Sequence, residues 1–261
     1  MQAVWYTGSS LVWRAGCYAG EQSEIGNYIA GEAGLYWTGR GIIQPHVAAR
    51  RNVRAPSAQE IFQPESLLAP NGQDYLPGGN VGLEPELSEE ITLGASVLGS
   101  LTIDLFARND KRRIVPVEGL YGNVDGGRVT GARSRYARSG NLFGIHCGLN
   151  GSLELLGERS DFTQGIPEYR IRGGLLLRRA VFKSTETVSL RWDSEVVGDR
   201  YWEGGELQGY MTHDLSCSLT LLRARIVFQY RNIFNEEYET YPGFLMPGRH
   251  YLIGIWWELL D

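Results

Sequence analysis

The sequence predicts an all-β protein whose antiparallel strands cross a membrane as in a transmembrane β-barrel, and three observations carry that prediction. Apolar and polar residues alternate with a period of two, short and long connections alternate along the chain, and paired aromatics stand at segment ends. The alternation is clearest over residues 225–259. Ile226, Phe228 and Tyr230 share one face, opposite Arg225, Gln229 and Arg231. In the closing segment Tyr251, Ile253, Ile255, Trp257 and Leu259 oppose His250, Gly254 and Glu258. A period of two marks a half-buried strand. Here the apolar face is large and aromatic, and the opposite face carries full charges. A soluble sandwich turns such charges to water and buries the apolar face. A barrel in lipid does the reverse, with apolar residues outward and polar residues toward a wet lumen.

Taken in order, about thirteen strands are expected, near the roughly 9–11 residues that a tilted membrane strand needs. They fall at 3–8, 11–20, 28–37, 42–52, 87–98, 101–116, 133–148, 153–162, 168–182, 186–197, 208–219, 225–233 and 249–259. The count drops to about twelve if 3–20 is a single long strand. Ile91, Leu93, Ala95 and Val97 oppose Thr92, Gly94 and Ser96, and Val188, Leu190 and Trp192 oppose Ser189, Arg191 and Asp193. Tight turns are expected at 38–41, at 99–100 and at Asn150-Gly151, the last an Asn-Gly hairpin pair. Long links are expected at 53–86, 117–132, 198–207 and 234–248. Short turns at one end and long loops at the other are the asymmetry of an outer-membrane barrel. Trp5-Tyr6, Tyr36-Trp37, Tyr201-Trp202 and Trp256-Trp257 suit a membrane interface, where an amphipathic ring is half wetted.

Composition agrees. The chain has 261 residues, 34 of them glycine, and aromatics make up 11%. Its mean hydropathy is slightly negative, which strand-crossing proteins tolerate because each outward apolar residue alternates with an inward polar one. A formal net charge of -5 argues against a nucleic-acid surface. Of the 25 basic residues only Lys111 and Lys183 are lysines, from which no function follows. Cys17, Cys147 and Cys217 are odd in number and far apart, which suits isolated thiols better than a disulfide framework.

Two blocks carry a resemblance. Asn232-Ile233-Phe234-Asn235, Tyr238, Met246-Pro247-Gly248-Arg249 and a closing Trp257-Glu258-Leu259 resemble the C-terminal signature of TonB-dependent outer-membrane receptors. Asn52-Val53-Arg54-Ala55-Pro56-Ser57 with Glu60-Ile61-Phe62, then Gly79-Asn80-Val81-Gly82-Leu83-Glu84-Pro85-Glu86 and Glu90, resembles a second block of that family, in the family's order. The resemblance implies that residues 1–261 are one receptor-like barrel domain, contributing part of a barrel of roughly 22 strands. It also implies a plug domain, a TonB box and a secretory leader, none of which has a place here. Met1 opens directly into Gln2-Ala3-Val4-Trp5-Tyr6. The expectation is therefore a C-terminal, open half-barrel that does not transport alone.

What the resemblance implies about function is uptake of a scarce nutrient, such as a ferric siderophore, haem or cobalamin, across the outer membrane of a Gram-negative cell. Its partners would be outer-membrane lipid, the small-molecule ligand, and the TonB–ExbB–ExbD complex through the plug. Aromatics in the long loops are the candidate ligand contacts: Phe62, Tyr75, Tyr121, Tyr201, Trp202, Tyr241 and Phe244. Arg54, Pro56, Pro85, Glu86, Asn232, Phe234, Pro247, Gly248 and Arg249 belong to the two blocks, and their first reading is structural. No cofactor or metal site is expected. The acidic run Asn235-Glu236-Glu237-Tyr238-Glu239 lacks the ordered spacing of a calcium loop. No catalytic motif occurs, and His46, His146, His213 and His250 are expected to face the lumen. His213-Asp214 near a serine leaves a cross-strand Ser-His arrangement open. The alternatives are a complete small outer-membrane barrel, porin-like or enzymatic, and a soluble β-domain that binds a partner.

Overall fold

The computed structural model describes residues 2–7, 10–22, 26–39, 41–63, 78–117, 119–159, 165–181, 186–202, 205–221 and 224–257. The chain divides into two compact units: Met1–Arg133 with Leu156–Ile166, and Ser134–Leu155 with Pro167–Asp261. The first unit holds β1 (Gln2–Thr7), β2 (Leu11–Gln22), β3 (Gly26–Trp37), β4 (Ile43–Arg54), α1 (Ala58–Phe62), β5 (Glu86–Val97), β6 (Leu101–Lys111), β7 (Arg113–Val117) and β8 (Leu120–Val124). The residues of β9 (Gly127–Leu142) and β10 (Ile145–Arg159) are shared between the units. The second unit continues with β11 (Tyr169–Ala180), β12 (Thr187–Val197), β13 (Arg200–Trp202), β14 (Gly205–Leu207), β15 (Tyr210–Leu221), β16 (Ala224–Arg231), β17 (Glu239–Tyr241), β18 (Phe244–Leu245) and β19 (His250–Trp257).

Thirteen of these strands hydrogen-bond in the order β1-β2-β3-β4-β5-β6-β9-β10-β11-β12-β15-β16-β19, with β1 and β19 at the ends of that order. This is the antiparallel all-β sheet that the alternation predicts. Three small hairpins, β7–β8, β13–β14 and β17–β18, form outside it. Because each strand of this sheet pairs with the next strand of the same sheet along the chain, successive connections leave opposite ends of a unit's strands. In the first unit α1 and the β7–β8 hairpin fill the long links at one end, and tight turns occupy the other. In the second unit the β13–β14 and β17–β18 hairpins likewise share one end. Strands of 12 residues rise roughly 40 Å at about 3.3 Å per residue, enough to cross a hydrocarbon layer at a barrel tilt.

The two faces are inverted relative to a water-soluble sheet. On β5 and β6, Ile91, Leu93 and Leu105 are 63%, 61% and 59% exposed, while Asp104 and Phe106 on the opposite face are 2% and 4% exposed. On β19, Tyr251, Ile253 and Ile255 are exposed to a similar degree. Burial in the first unit gathers instead beneath the long links, at Ile61, Leu83, Leu87, Ile114 and Val115. No described helix is long and apolar enough to cross a membrane, which bears on helical spans only.

Two expectations are corrected. The hairpin expected at Asn150-Gly151 lies at Phe143-Gly144, both with positive φ (49° and 76°) as a two-residue hairpin turn requires. Asn150 and Gly151 are mid-strand instead, opposite Gly174 and Gly173. The Asn150 side chain takes the space above Gly174, where a Cβ would lie 2.8 Å from its Oδ1. Packing across strands overrides the local turn preference. The strand expected at 101–116 ends at Lys111. Arg112, at φ 55°, turns the chain, and residues 113–117 leave to form the β7–β8 hairpin. The two strands expected over 3–8 and 11–20 form separately, as β1 and β2.

Gly94 shows how the polar face accepts charge. It stands in register between His46 of β4 and Asp104 of β6. His46 Nε2 reaches Asp104 Oδ1 at 2.9 Å, passing over Gly94, and the Tyr36 ring stacks on His46 at 5.6 Å. A Cβ on Gly94 would lie 2.8 Å from His46 Cε1 and closer still to Asp104 Oδ1. Gly94→Val is therefore expected to push the pair apart and lower stability by about 1–3 kcal/mol, as overpacking does. Urea unfolding followed by tryptophan fluorescence reads this; an unchanged midpoint would contradict it.

Candidate functional site

Each unit builds its long links on a polar knot at the strand ends. In the first unit the knot centres on Arg54, the last residue of β4, and Glu86, its register partner at the start of β5. Arg54 Nε donates to Glu86 Oε2 at 2.6 Å, and its two terminal nitrogens donate to both carboxylate oxygens of Glu60 at 2.9 and 3.1 Å. Glu60 is the third residue of α1, and with Ser57 it forms a capping box: Glu60 N–H donates to Ser57 Oγ, and Ser57 N–H donates to Glu60 Oε2. The second oxygen of Glu86 accepts from the backbone N–H of Ile114 in β7 at 2.7 Å. One carboxylate thus ties the base of one link to the hairpin of the next.

The intervening motif residues complete the knot. Gly79 N–H donates to Gln63 O and Asn80 N–H to Glu60 O, pressing this segment against the end of α1. A Cβ on Gly79 would lie 2.6 Å from Gln63 N, so the approach requires glycine. Asn80 Nδ2 donates to Tyr121 O, while Asn123 Nδ2 donates to the carbonyls of Glu84 and Arg112. Arg112 pairs with Glu84 at 2.8 Å.

In the second unit Asn232 plays the matching part. It is 4% exposed and sits at φ 48°, a left-handed conformation that asparagine tolerates. Its N–H donates to Asp214 Oδ1, its Oδ1 accepts from Glu236 N–H, and its Nδ2 donates to Glu236 O. Asn235 Oδ1 accepts from Arg249 N–H at 2.9 Å and sits against Gly248, launching β19. Arg200, 4% exposed, donates to the carbonyls of Glu239 and Thr240 and so joins the two hairpins. Tyr210 and Tyr238 stack beside it at 4.2 Å. Arg200 carries no sequence signal, since it lies in the link expected at 198–207, and Tyr210 opens β15 just beyond that link.

Among the candidate contacts, Phe62 ends α1 and is 62% exposed, and Tyr121 on β8 is half-buried. Tyr201 is exposed and Trp202 half-buried on β13, and Phe244 is half-buried on β18. The Tyr241 backbone belongs to β17, and Tyr75 lies outside the described residues. Phe62 and Tyr121 thus share the knot of the first unit, and Tyr201, Trp202 and Phe244 the paired hairpins of the second. Pro56 is buried behind Ser57, Pro85 is half-buried, and Phe234 and Pro247 are exposed.

The Ser-His arrangement takes a different form from a hydrolase. Ser194 Oγ and His213 Nδ1 are 2.8 Å apart, and Trp192 Nε1–H donates to the same hydroxyl. The His213 ring packs on Trp192 and Phe234 at 5.4 and 5.0 Å. His213 therefore lies with the aromatics of the apolar face, correcting its expected lumenal position. Asp214, one residue on, faces the other way and holds Asn232. Among the described residues no carboxylate is hydrogen-bonded to the imidazole, which a triad needs. The polar face of the second unit forms a groove of about 610 Å³, with Arg178, Arg191, Asp193, Asp214, Arg225 and Arg231 among its walls. Among the described residues no group of three or more His, Cys, Asp or Glu is placed to hold a metal ion, and the three cysteines are free thiols.

No family model and no curated protein matches the chain. Solved structures do. The siderophore receptor PirA from Pseudomonas aeruginosa matches 97% of this chain with 46% of its own, at TM-score 0.58 and 16% identity. The copper transporter OprC matches the same shares at TM-score 0.56 and 16% identity. The FrpB iron transporter from Neisseria meningitidis matches 97% of this chain with 43% of its own, at TM-score 0.54 and 12% identity. These neighbours are receptors and transporters, not enzymes. The chain shares their β-barrel fold and spans a little under half of their length.

Two outcomes follow from the knots. Burial raises the Glu60 pKa, but bonds from Arg54 and Ser57 outweigh it and hold the group below its ordinary 4.5. A depressed folded-state pKa gives stability that is present above about 4.5 and lost as pH falls through the lower folded value. Amide exchange of Glu60 and Ile61 is expected to accelerate in that acidic window, and Glu60→Gln to flatten the dependence. Asn232→Ala is expected to cost about 2–4 kcal/mol, from lost bonds and the left-handed backbone. Asn232→Gly should recover the backbone part alone; equal losses in thermal unfolding would count against this division.

Proposed function

We propose that this chain supplies strands to the barrel of a TonB-energised outer-membrane receptor that takes up a scarce nutrient ligand of the iron-chelate, haem or cobalamin class. One observation supports the reading above the others: the sheet is inside out, with Ile91, Leu93, Tyr251 and Ile253 in the open and Asp104 withdrawn on the opposite face. Water would penalise such a surface, whereas hydrocarbon favours it. The two sequence blocks agree with it, as do the siderophore, iron and copper named for the structural neighbours.

In this reading lipid surrounds the apolar face and the folded links form a ligand-facing rim. Phe62, Tyr121, Tyr201, Trp202 and Phe244, with Tyr75 and Tyr241, offer aromatic surface to a large, flat or catecholate-bearing ligand. The knots at Arg54–Glu86 and at Asn232 hold that rim at fixed height. Coupling to TonB, ExbB and ExbD belongs to a plug, not to these strands. The barrel's own work is to bind, orient and exclude solvent, with no covalent step.

Expressed behind a secretory leader in a Gram-negative cell, the chain should fractionate with the outer membrane and resist urea extraction. Recovery as a soluble periplasmic protein would sink the reading. Uptake of radioactive ferric enterobactin or haem by these cells is expected to stay at background, because transport needs the plug.

A further inference from the structure

We propose that the apolar face of the first unit carries a binding groove for one anionic lipid with a phosphate-bearing headgroup. This rests on the membrane reading and adds a site to it. Strand register sets three rows across β2 to β6. Trp13, Leu35, Val47, Leu93 and Leu105 form a tall row. Beside it, toward the long links, lie Ala15, Ala33, Ala49, Ile91 and Ala107, and then Cys17, Gly31, Arg51, Glu89 and Asn109. Where the leucines give way to alanines the surface drops into a groove of about 690 Å³, with Arg128 at its margin. Gly31 keeps this floor low, since a Cβ there would lie 2.7 Å from Gly16 O.

Charge selects the occupant. Glu89 accepts from Lys111 at 3.1 Å and faces Arg51 at 3.8 Å. Arg128 is exposed and makes no ion pair among the described residues. Three cations therefore stand against one carboxylate at the boundary of an apolar face. Charged groups at a hydrocarbon margin are held there by partners of opposite sign, and with Arg51 and Lys111 sharing Glu89 and Arg128 beside them, an anion from outside the chain would balance the set. A phosphate on an acyl chain satisfies both walls, its chain over Ala33 and Ala49 and its headgroup beside Arg51 and Arg128. A zwitterionic headgroup brings a competing cation, and a bare phosphate leaves the alanine floor unused.

The test folds the chain into phosphatidylcholine nanodiscs doped with phosphatidylglycerol and counts the lipids retained after release, by native mass spectrometry. Retention of phosphatidylglycerol over phosphatidylcholine is expected. It should weaken roughly fivefold per basic residue removed, so about 25-fold in Arg51→Gln/Arg128→Gln. Ala49→Phe keeps the charges but fills the floor, and it should abolish retention while circular dichroism shows the strands intact. Insertion without lipid preference, or retention unchanged in either variant, overturns the proposal alone. Inorganic phosphate competing as well as the lipid replaces it with a bare anion site. Failure to insert into any bilayer overturns the membrane reading and the groove with it.

Discussion

In the membrane setting proposed for this chain a backbone has no water to pair with, so every N–H and C=O along a crossing strand must find its partner on a neighbour. The ladder between sequential strands answers that requirement, and the other features depend on it. It fixes register, and register decides which side chains share a row. Rows in turn set which surface is apolar, where charges fall opposite one another, and where a link must begin. Arg54 meets Glu86, and Asp193 meets Asp214, because the ladder places them side by side.

Charge on the polar face is accommodated by removing side chains as much as by pairing them. His46 reaches Asp104 across Gly94, and Asn150 and Asp193 approach over Gly174 in the same way. The missing Cβ lets groups two strands apart come close, and where they pair, as His46 and Asp104 do, the contact compensates their partial desolvation. The high glycine content is thus used in strands as well as turns.

Much of this was legible from the sequence. The period of two, visible in β5, β12, β16 and β19, gives strand identity and face without a structure. Boundaries were less legible where a local cue competed with pairing across strands. Asn150-Gly151 has the ideal chemistry for a hairpin, yet the neighbouring strands claim both residues, and Phe143-Gly144 turns despite a poorer first residue. The short hairpins in the links escaped notice because strands of 2–5 residues leave no periodic trace. The motif residues were visible, but their geometry was not. That Glu86 serves Arg54 with one oxygen and Ile114 with the other depends on the fold alone.

That shared carboxylate has a consequence for how such links can diversify. Loops at strand ends ordinarily tolerate changes in length independently, because their closure entropy grows slowly. Here the link after β4 and the hairpin after β6 are fastened to the same residue, and Asn80 and Asn123 stitch them again higher up. An exchange of either one alone would strand half of the fasteners. The two segments therefore behave as one module, free to vary in sequence at its surface but inherited, grafted or lost as a pair.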